Sequence, residues 1–176
     1  MSSNPIPPSD PVRGQVVLCI GDGVSTDTIY PGRFMATVLP SETPQFAFAD
    51  HREFNAKLNQ GKIAAGSFIV AGANFGCGSS REQAASTLKG HGLVVVARGF
   101  ARIFLQNAVN LGLQTVTCPE INASEGDMLE VREDHVLNVT TGARFAVQPL
   151  PEARRAIVAA GGLISYSRGR LIQKNA

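Results

Sequence analysis

The sequence predicts an α/β protein with parallel central strands and an antiparallel C-terminal part. In the middle of the chain, short β-branched apolar runs alternate with helical stretches. That order, strand–helix–strand–helix–strand, is the one that builds a parallel sheet. Beyond residue 127 the apolar stretches become short alternating runs separated by turn signals, which reads as an antiparallel meander. The length, 176 residues, fits one domain with a substantial core.

Taken in order, Gln15 to Ile20 reads as a first strand running into the Gly21-Asp22-Gly23 turn. From Val24 to Pro44 the turn signals and Pro31, Pro40 and Pro44 predict loop, with one short helix near Phe34 to Val38. Asp50 is placed to cap a helix from Arg52 to Asn59, which Gly61 ends. Ser67 to Ala71 is apolar enough for a buried strand, and Ser80 to Lys89 carries Ala84, Ala85 and Leu88 at helical spacing. Gly90 and Gly92 break the chain before Leu93 to Ala97, an uninterrupted run of the kind covered on both faces. A helix over Ala101 to Leu111 places Ile103, Phe104, Ala108 and Leu111 on one stripe, and Leu113 to Thr117 is a further buried strand. Met128 to Arg132, Val136 to Thr140 and Arg144 to Gln148 form the meander. Pro151 at a first helical position opens a last helix, Glu152 to Ala160, closed by Gly161-Gly162. Residues 1–13 read as a flexible tail, 14–164 as the folded domain and 165–176 as a polar, basic tail.

Composition excludes several function classes. Apolar residues at 44% with 17% charged describe an ordinary globule, and a net charge of +2 is too small to argue for nucleic acid or a membrane surface. No apolar run approaches the ~18 residues of a membrane helix, and the first residues lack the apolar stretch of a secretory signal. The expected address is cytoplasmic. Cys19, Cys77 and Cys118 are far apart, with no C-x-x-C pair and no neighbouring histidine, so this chain shows no ligand set for zinc or an iron–sulfur cluster. Cys19 and Cys118 lie in apolar strand-like runs and read as buried small hydrophobes, whereas Cys77 is in a loop. His51, His91 and His135 sit in turn-like contexts, as surface or capping residues.

The chemistry concentrates in Gly76-Cys77-Gly78-Ser79-Ser80-Arg81. A glycine turn here delivers two hydroxyls and a guanidinium onto a helix start, where unpaired N–H groups and the positive dipole end favour an anion. Ser80-Arg81-Glu82-Gln83 also fits a capping box, so Ser80 reads as a cap on pattern alone. The phosphate-binding P-loop, the dinucleotide fingerprint and the hydrolase nucleophile elbow all fail on the residues that follow the glycines.

Gly72 to Ala84, with its Gly-Ala-Asn-Phe-Gly-Cys-Gly-Ser-Ser-Arg-Glu-Gln-Ala run, resembles the signature of the small mobile domain of the aconitase superfamily. Two further blocks match in order. Ser25 to Arg33 lies upstream, and Phe100-Ala101-Arg102-Ile103-Phe104 continues through Asn107 and Asn110 to Leu113. Their spacing is similar to that in the separate small subunits of the isopropylmalate dehydratases, from about Val16 to about Cys118. The resemblance implies a three-layer β/β/α swivelling domain that closes on a cluster-bearing large subunit, as a heterodimer or heterotetramer. It places a [4Fe–4S] cluster on that partner and none on this chain. The implied reaction is a dehydration and rehydration that moves the hydroxyl of a 2-alkylmalate, a small diacid, to the neighbouring carbon. There the cluster iron would serve as Lewis acid.

By the same resemblance Ser79 is the catalytic base, acting as alkoxide, and Arg81 grips a substrate carboxylate with its bidentate fork. Ser80 matches a donor to that carboxylate, beside its reading as a cap. Thr26 and Asp27 match a substrate-facing pair; Asp27 could orient Arg81 or simply form an Asx-turn. Arg33 matches a pocket residue or is a solvated surface arginine. The segment Phe34-Met35-Ala36-Thr37 matches the part that senses the substrate's distal group, and it is uncharged. An isopropyl or methyl group therefore fits better than a third carboxylate. The chain departs from the family pattern at Gln83, where relatives carry His, and at Gly99, where they carry Ser. Neither departure touches Ser79 or Arg81. A non-catalytic anion-binding module of the same fold is the competing reading, and the intact Ser79-Ser80-Arg81 run favours the enzyme.

Overall fold

The structure is a computed structural model, and it describes residues 11–174. The first ten residues of the expected N-terminal tail lie outside that range. Seven strands form one sheet in the order β4-β3-β2-β1-β5-β6-β7. They are β1 (Val12–Ile20), β2 (Phe68–Ala71), β3 (Val94–Ala97), β4 (Thr115–Thr117), β5 (Met128–Val131), β6 (His135–Asn138) and β7 (Arg144–Ala146). β1 joins two kinds of pairing. Its later residues run parallel to β2, from Val16↔Phe68 to Ile20↔Ala71, while its first residues run antiparallel to β5, from Val12↔Val131 to Gln15↔Met128. β2, β3 and β4 continue the parallel part, and β5, β6 and β7 form the expected meander.

The unbroken apolar runs of β2 and β3 are explained by burial on both faces. Successive side chains point to opposite sides of a strand. Ile69, Ala71, Val95 and Ala97 pack with Ala84, Ala85 and Leu88 of α3 (Glu82–Gly90) and with Phe104 and Ala108 of α4 (Arg102–Leu111). Phe68, Val70, Val94 and Val96 face the other way, onto Leu129, Val136 and Ile121. The Gln148 N–H donates to the Thr117 carbonyl at 2.8 Å, which brings the antiparallel strands back over the parallel ones. The result is three layers, β on β on α, as the resemblance implies.

Several elements differ from the sequence reading. β1 begins at Val12, so Val12 and Arg13 belong to the sheet. A one-turn helix, α1 (Thr26–Ile29), occupies what reads as loop, and a 3₁₀ turn at Gly32–Phe34 replaces the helix expected near Phe34 to Val38. α2 (Arg52–Asn59) falls where expected, but its cap position is His51 and no side chain caps it, because Asp50 is engaged by Arg33. Ile103 is 47% exposed, since the buried stripe of α4 runs through Phe104, Ala108 and Val109. Cys19 is exposed rather than buried, with its thiol donating to the Ala123 carbonyl at 3.3 Å. α5 (Glu152–Ala159) is followed at once by α6 (Leu163–Lys174), in the stretch that reads as a polar tail. Among the described residues no helix is long and apolar enough to cross a membrane.

Cys118 is fully buried in the core between the two β layers, and burial, with Glu120 nearby, pushes its thiol up to about 11. At pH 8 it is therefore expected to be the last of the three cysteines to be alkylated. Its labelling rate, followed by mass spectrometry in increasing urea, should track global unfolding.

Candidate active site

The site forms where the loops leaving β1 and β2 run side by side. Because the two strands are parallel and in register, the chain leaves both at the same sheet end. The backbones then pair through the loops. Gly23 N–H donates to Ala73 O at 2.8 Å, Gly76 N–H to Val24 O at 2.7 Å and Thr26 N–H to Cys77 O at 2.8 Å. Asp22 adds its carboxylate as acceptor for the Ala73 N–H at 2.7 Å. A third segment joins on the far side, with Phe75 N–H on Gly99 O and Ala101 N–H on Phe75 O, both 2.9 Å. Gly76 is required here on two counts. Its φ is +80°, and a Cβ would sit 2.2 Å from Cγ of the buried Phe104 ring.

α1 lies directly against the serine loop. Ser25 caps it by accepting from the Thr28 N–H at 3.1 Å. Thr26 is only 2% exposed, and its hydroxyl meets Ser79. Thr26 Oγ1 is 3.1 Å from the Ser79 carbonyl oxygen and 3.3 Å from Ser79 Oγ. Ser79 itself is exposed, as is Ser80.

Asp27 and Arg81 form a bidentate pair. Nη1 lies 2.5 Å from Oδ1, and Nη2 donates to Oδ2 at 2.9 Å. Nη1 also donates to the Tyr30 carbonyl at 3.1 Å, while Asp27 accepts the Gly32 N–H at 3.0 Å. The guanidinium is well buried and the carboxylate exposed, at 14% and 64%. Hydrogen bonds from Arg81 first, and from Gly32 second, hold the Asp27 carboxyl below its ordinary range. Among the described residues the Nε–H of Arg81 has no partner, so one edge of the fork stays open. Asp27 thus accepts from Arg81 and from Gly32 at once.

The capping box does not form. The cap position of α3 is Arg81, with no side-chain cap, and Ser80 lies outside it. The tight bond from Arg81 N–H to Ser79 O, 2.9 Å, turns the chain one residue later than the pattern suggests. No side chain therefore stops the start of α3, and its first N–H groups remain available to an anion.

Arg33 stands apart from this group. Its fork engages Asp50 at 3.1 and 2.5 Å and lies 4.6 Å over the Phe34 ring, half exposed. An exposed pair of this kind adds little stability. The segment Phe34 to Thr37 is held from beneath. Tyr30, fully buried, directs its phenol at the Phe34 and Thr37 carbonyls, at 3.1 and 3.4 Å, and Phe34 stacks on Phe46 at 4.2 Å. Met35 and Ala36 are exposed. The supporting contacts of Tyr30 and Phe46 escape the sequence reading, which takes Asp50 only as a helix cap. The signal for the α1 turn that carries Tyr30 is there, as Ser25 followed by an acidic first turn.

Among the described residues, no group of three or more His, Cys, Asp or Glu could hold a metal ion.

The sequence matches the family described as the aconitase C-terminal domain over residues 23–121, a span that includes every residue of the site. The 3-isopropylmalate dehydratase small subunit 1 of Methanopyrus kandleri is 44% identical over 88% of this chain and 91% of its own length. The 2,3-dimethylmalate dehydratase small subunit of Eubacterium barkeri is also 44% identical, over 83% and 90%. Among solved structures, the 3-isopropylmalate dehydratase (LeuD) of Methanocaldococcus jannaschii superposes with a TM-score of 0.84 at 35% identity, covering 94% of this chain and 98% of that one.

A depressed carboxyl keeps its stabilising contact until the pH falls through the depressed value, so the Asp27–Arg81 pair is expected to survive acidification through the usual aspartate range. Carboxyl NMR titration should place the Asp27 midpoint below 3.8, and Arg81→Met should move it back towards that value.

Proposed function

The chain belongs to the aconitase C-terminal domain family, and we propose that it is the small subunit of a hydro-lyase that isomerises a 2-alkylmalate, with 3-isopropylmalate as the substrate favoured. The carrying observation is that adjacent residues of α1 hold the two groups: Thr26 Oγ1 contacts the exposed Ser79, while Asp27, with the Tyr30 carbonyl, fixes the Arg81 guanidinium. In this reading Ser79 takes the proton from the carbon next to a carboxylate. Arg81 grips that carboxylate with the open edge of its fork, and Ser80 and the start of α3 add donors. Asp27 is a positioning residue, holding the guanidinium so that its free edge points one way.

Magnitudes locate the help Ser79 needs. The α3 dipole supplies about 0.3–1 kcal/mol when exposed, far short of what an alkoxide requires. The cation of this site, Arg81, is already paired with Asp27, which reduces its field at the serine. Most of the activation must therefore come from closure against a partner, which excludes water and strengthens every remaining dipole. The reading accordingly includes a large subunit, in a heterodimer or heterotetramer. The three cysteines of this chain lie apart, so its residues do not fit a [4Fe–4S] cluster, and we assign that group to the large subunit. No step of this chain's chemistry is derived through it. A place in the cytoplasm and in leucine biosynthesis follows from the same reading.

The uncharged segment from Phe34 to Thr37 supports an alkyl substituent. The Eubacterium barkeri relative, equally similar, makes methyl-substituted malates the second reading. Co-expression with the large subunit under anaerobic conditions, followed by hydration assays on alkylmaleates, tests both. Ser79→Ala is expected to lower turnover by about 10²–10⁴-fold while the complex still forms. Retained turnover would reject the serine as base. Ala36→Arg should shift the substrate ratio towards a tricarboxylate, and an unchanged ratio would remove this segment from substrate choice.

A further inference from the structure

We infer that Thr26 is a positioning residue whose single hydroxyl proton serves both oxygens of Ser79 in turn: the carbonyl while the serine is protonated, and Oγ once that proton has left. The inference rests on the reading of Ser79 as base. Thr26 Oγ1 lies 3.1 Å from the Ser79 carbonyl oxygen and 3.3 Å from Ser79 Oγ, and it has one proton to give. A carbonyl can only accept, so in the resting arrangement the Thr26 proton points there. Thr26 then offers only lone pairs to Ser79 Oγ, and the serine must be the donor in that contact. An alkoxide has no proton to donate, and two oxygens facing each other through lone pairs repel.

One rotation about the Thr26 Cβ–Oγ1 bond removes the conflict. The proton swings from the carbonyl to Oγ and becomes a hydrogen bond to the charged form, which favours that form. No bond to hydrogen is broken: Thr26 reorients a proton and transfers none. When Ser79 takes a proton from carbon, the Thr26 hydroxyl turns back. The surroundings leave it little other freedom. Its N–H is held by Cys77 O at 2.8 Å and its carbonyl by Tyr30 N–H at 2.9 Å, and its branched side chain is stiff. Thr26 itself is only 2% exposed. The nearby charged and titratable groups are Asp27 and Arg81, which neutralise one another, and Cys77, whose thiol donates to Gly23 O. None of them supplies a donor to Ser79 Oγ among the described residues.

The test uses the assembled enzyme with its large subunit and follows kcat, KM and the pH profile of kcat. Thr26→Val keeps the shape and removes the donor. It is expected to lower kcat by about 10²-fold, the cost of losing one preorganised donor to an oxyanion. KM should stay nearly unchanged, and the rise of kcat with pH should move to higher pH. Thr26→Ser should recover most of the rate. Full activity in Thr26→Val with an unmoved pH profile overturns the inference, as does a serine variant as slow as the valine one, which would mean a packing role. A slower Thr26→Val with an unmoved profile overturns it too. Ser79→Ala, measured alongside, keeps the two claims apart: if it stays active the base assignment fails, and if it is dead while Thr26→Val is normal only the present inference fails.

Discussion

The whole site depends on one constraint, the backbone pairing of the loop after β1 with the loop after β2. Parallel register at Ile20↔Ala71 delivers both loops to one sheet end, and the hydrogen bonds from Gly23 to Cys77 zip them together. Only then do Thr26 and Asp27, more than fifty positions earlier in the chain, meet Ser79 and Arg81. A sheet with antiparallel neighbours at this point would send the two loops to opposite ends. The parallel half is thus what makes the chemistry possible, and the antiparallel half serves to cover its other face.

α1 acts as a single clamp with several jaws. Its first residue faces Ser79, its second holds Arg81, and the residue after it, Tyr30, binds Arg81 through its carbonyl and the Phe34–Thr37 segment through its phenol. Ser79, Arg81 and the Phe34–Thr37 segment are therefore fixed to one turn of helix. That arrangement limits how far any of them can move independently. It also explains why a fully buried tyrosine touches both Arg81 and the Phe34–Thr37 segment.

Much of this was legible in the residues. The period of the apolar runs gave the parallel strands, since β2 and β3 have no polar face to hide. The turn chemistry gave the meander, and the Gly-Ser-Ser-Arg run marked the site. The failures have physical causes as well. α1 is a single turn, too short for periodicity to register, and it exists because Ser25 caps it and the neighbouring loop pins it. Asp50 and Ser80 have the right chemistry for caps, but a nearby arginine engages the first and a tight turn at Ser79 displaces the second. Ile103 shares a helix with buried neighbours but lies one residue off their stripe. At Asp50 a tertiary contact overrode a correct local preference.

The central place of β1 has a consequence during synthesis. It is the first strand to leave the ribosome, yet its antiparallel neighbour β5 begins only at Met128. Until then the edge of β1 offers unpaired amides, and the face carrying Phe68, Val70, Val94 and Val96 has nothing to cover it. Nascent chains of this topology present a sticky, half-built sheet for most of their translation. The late-emerging β5 and β6 are thus the strands that end its vulnerability to aggregation.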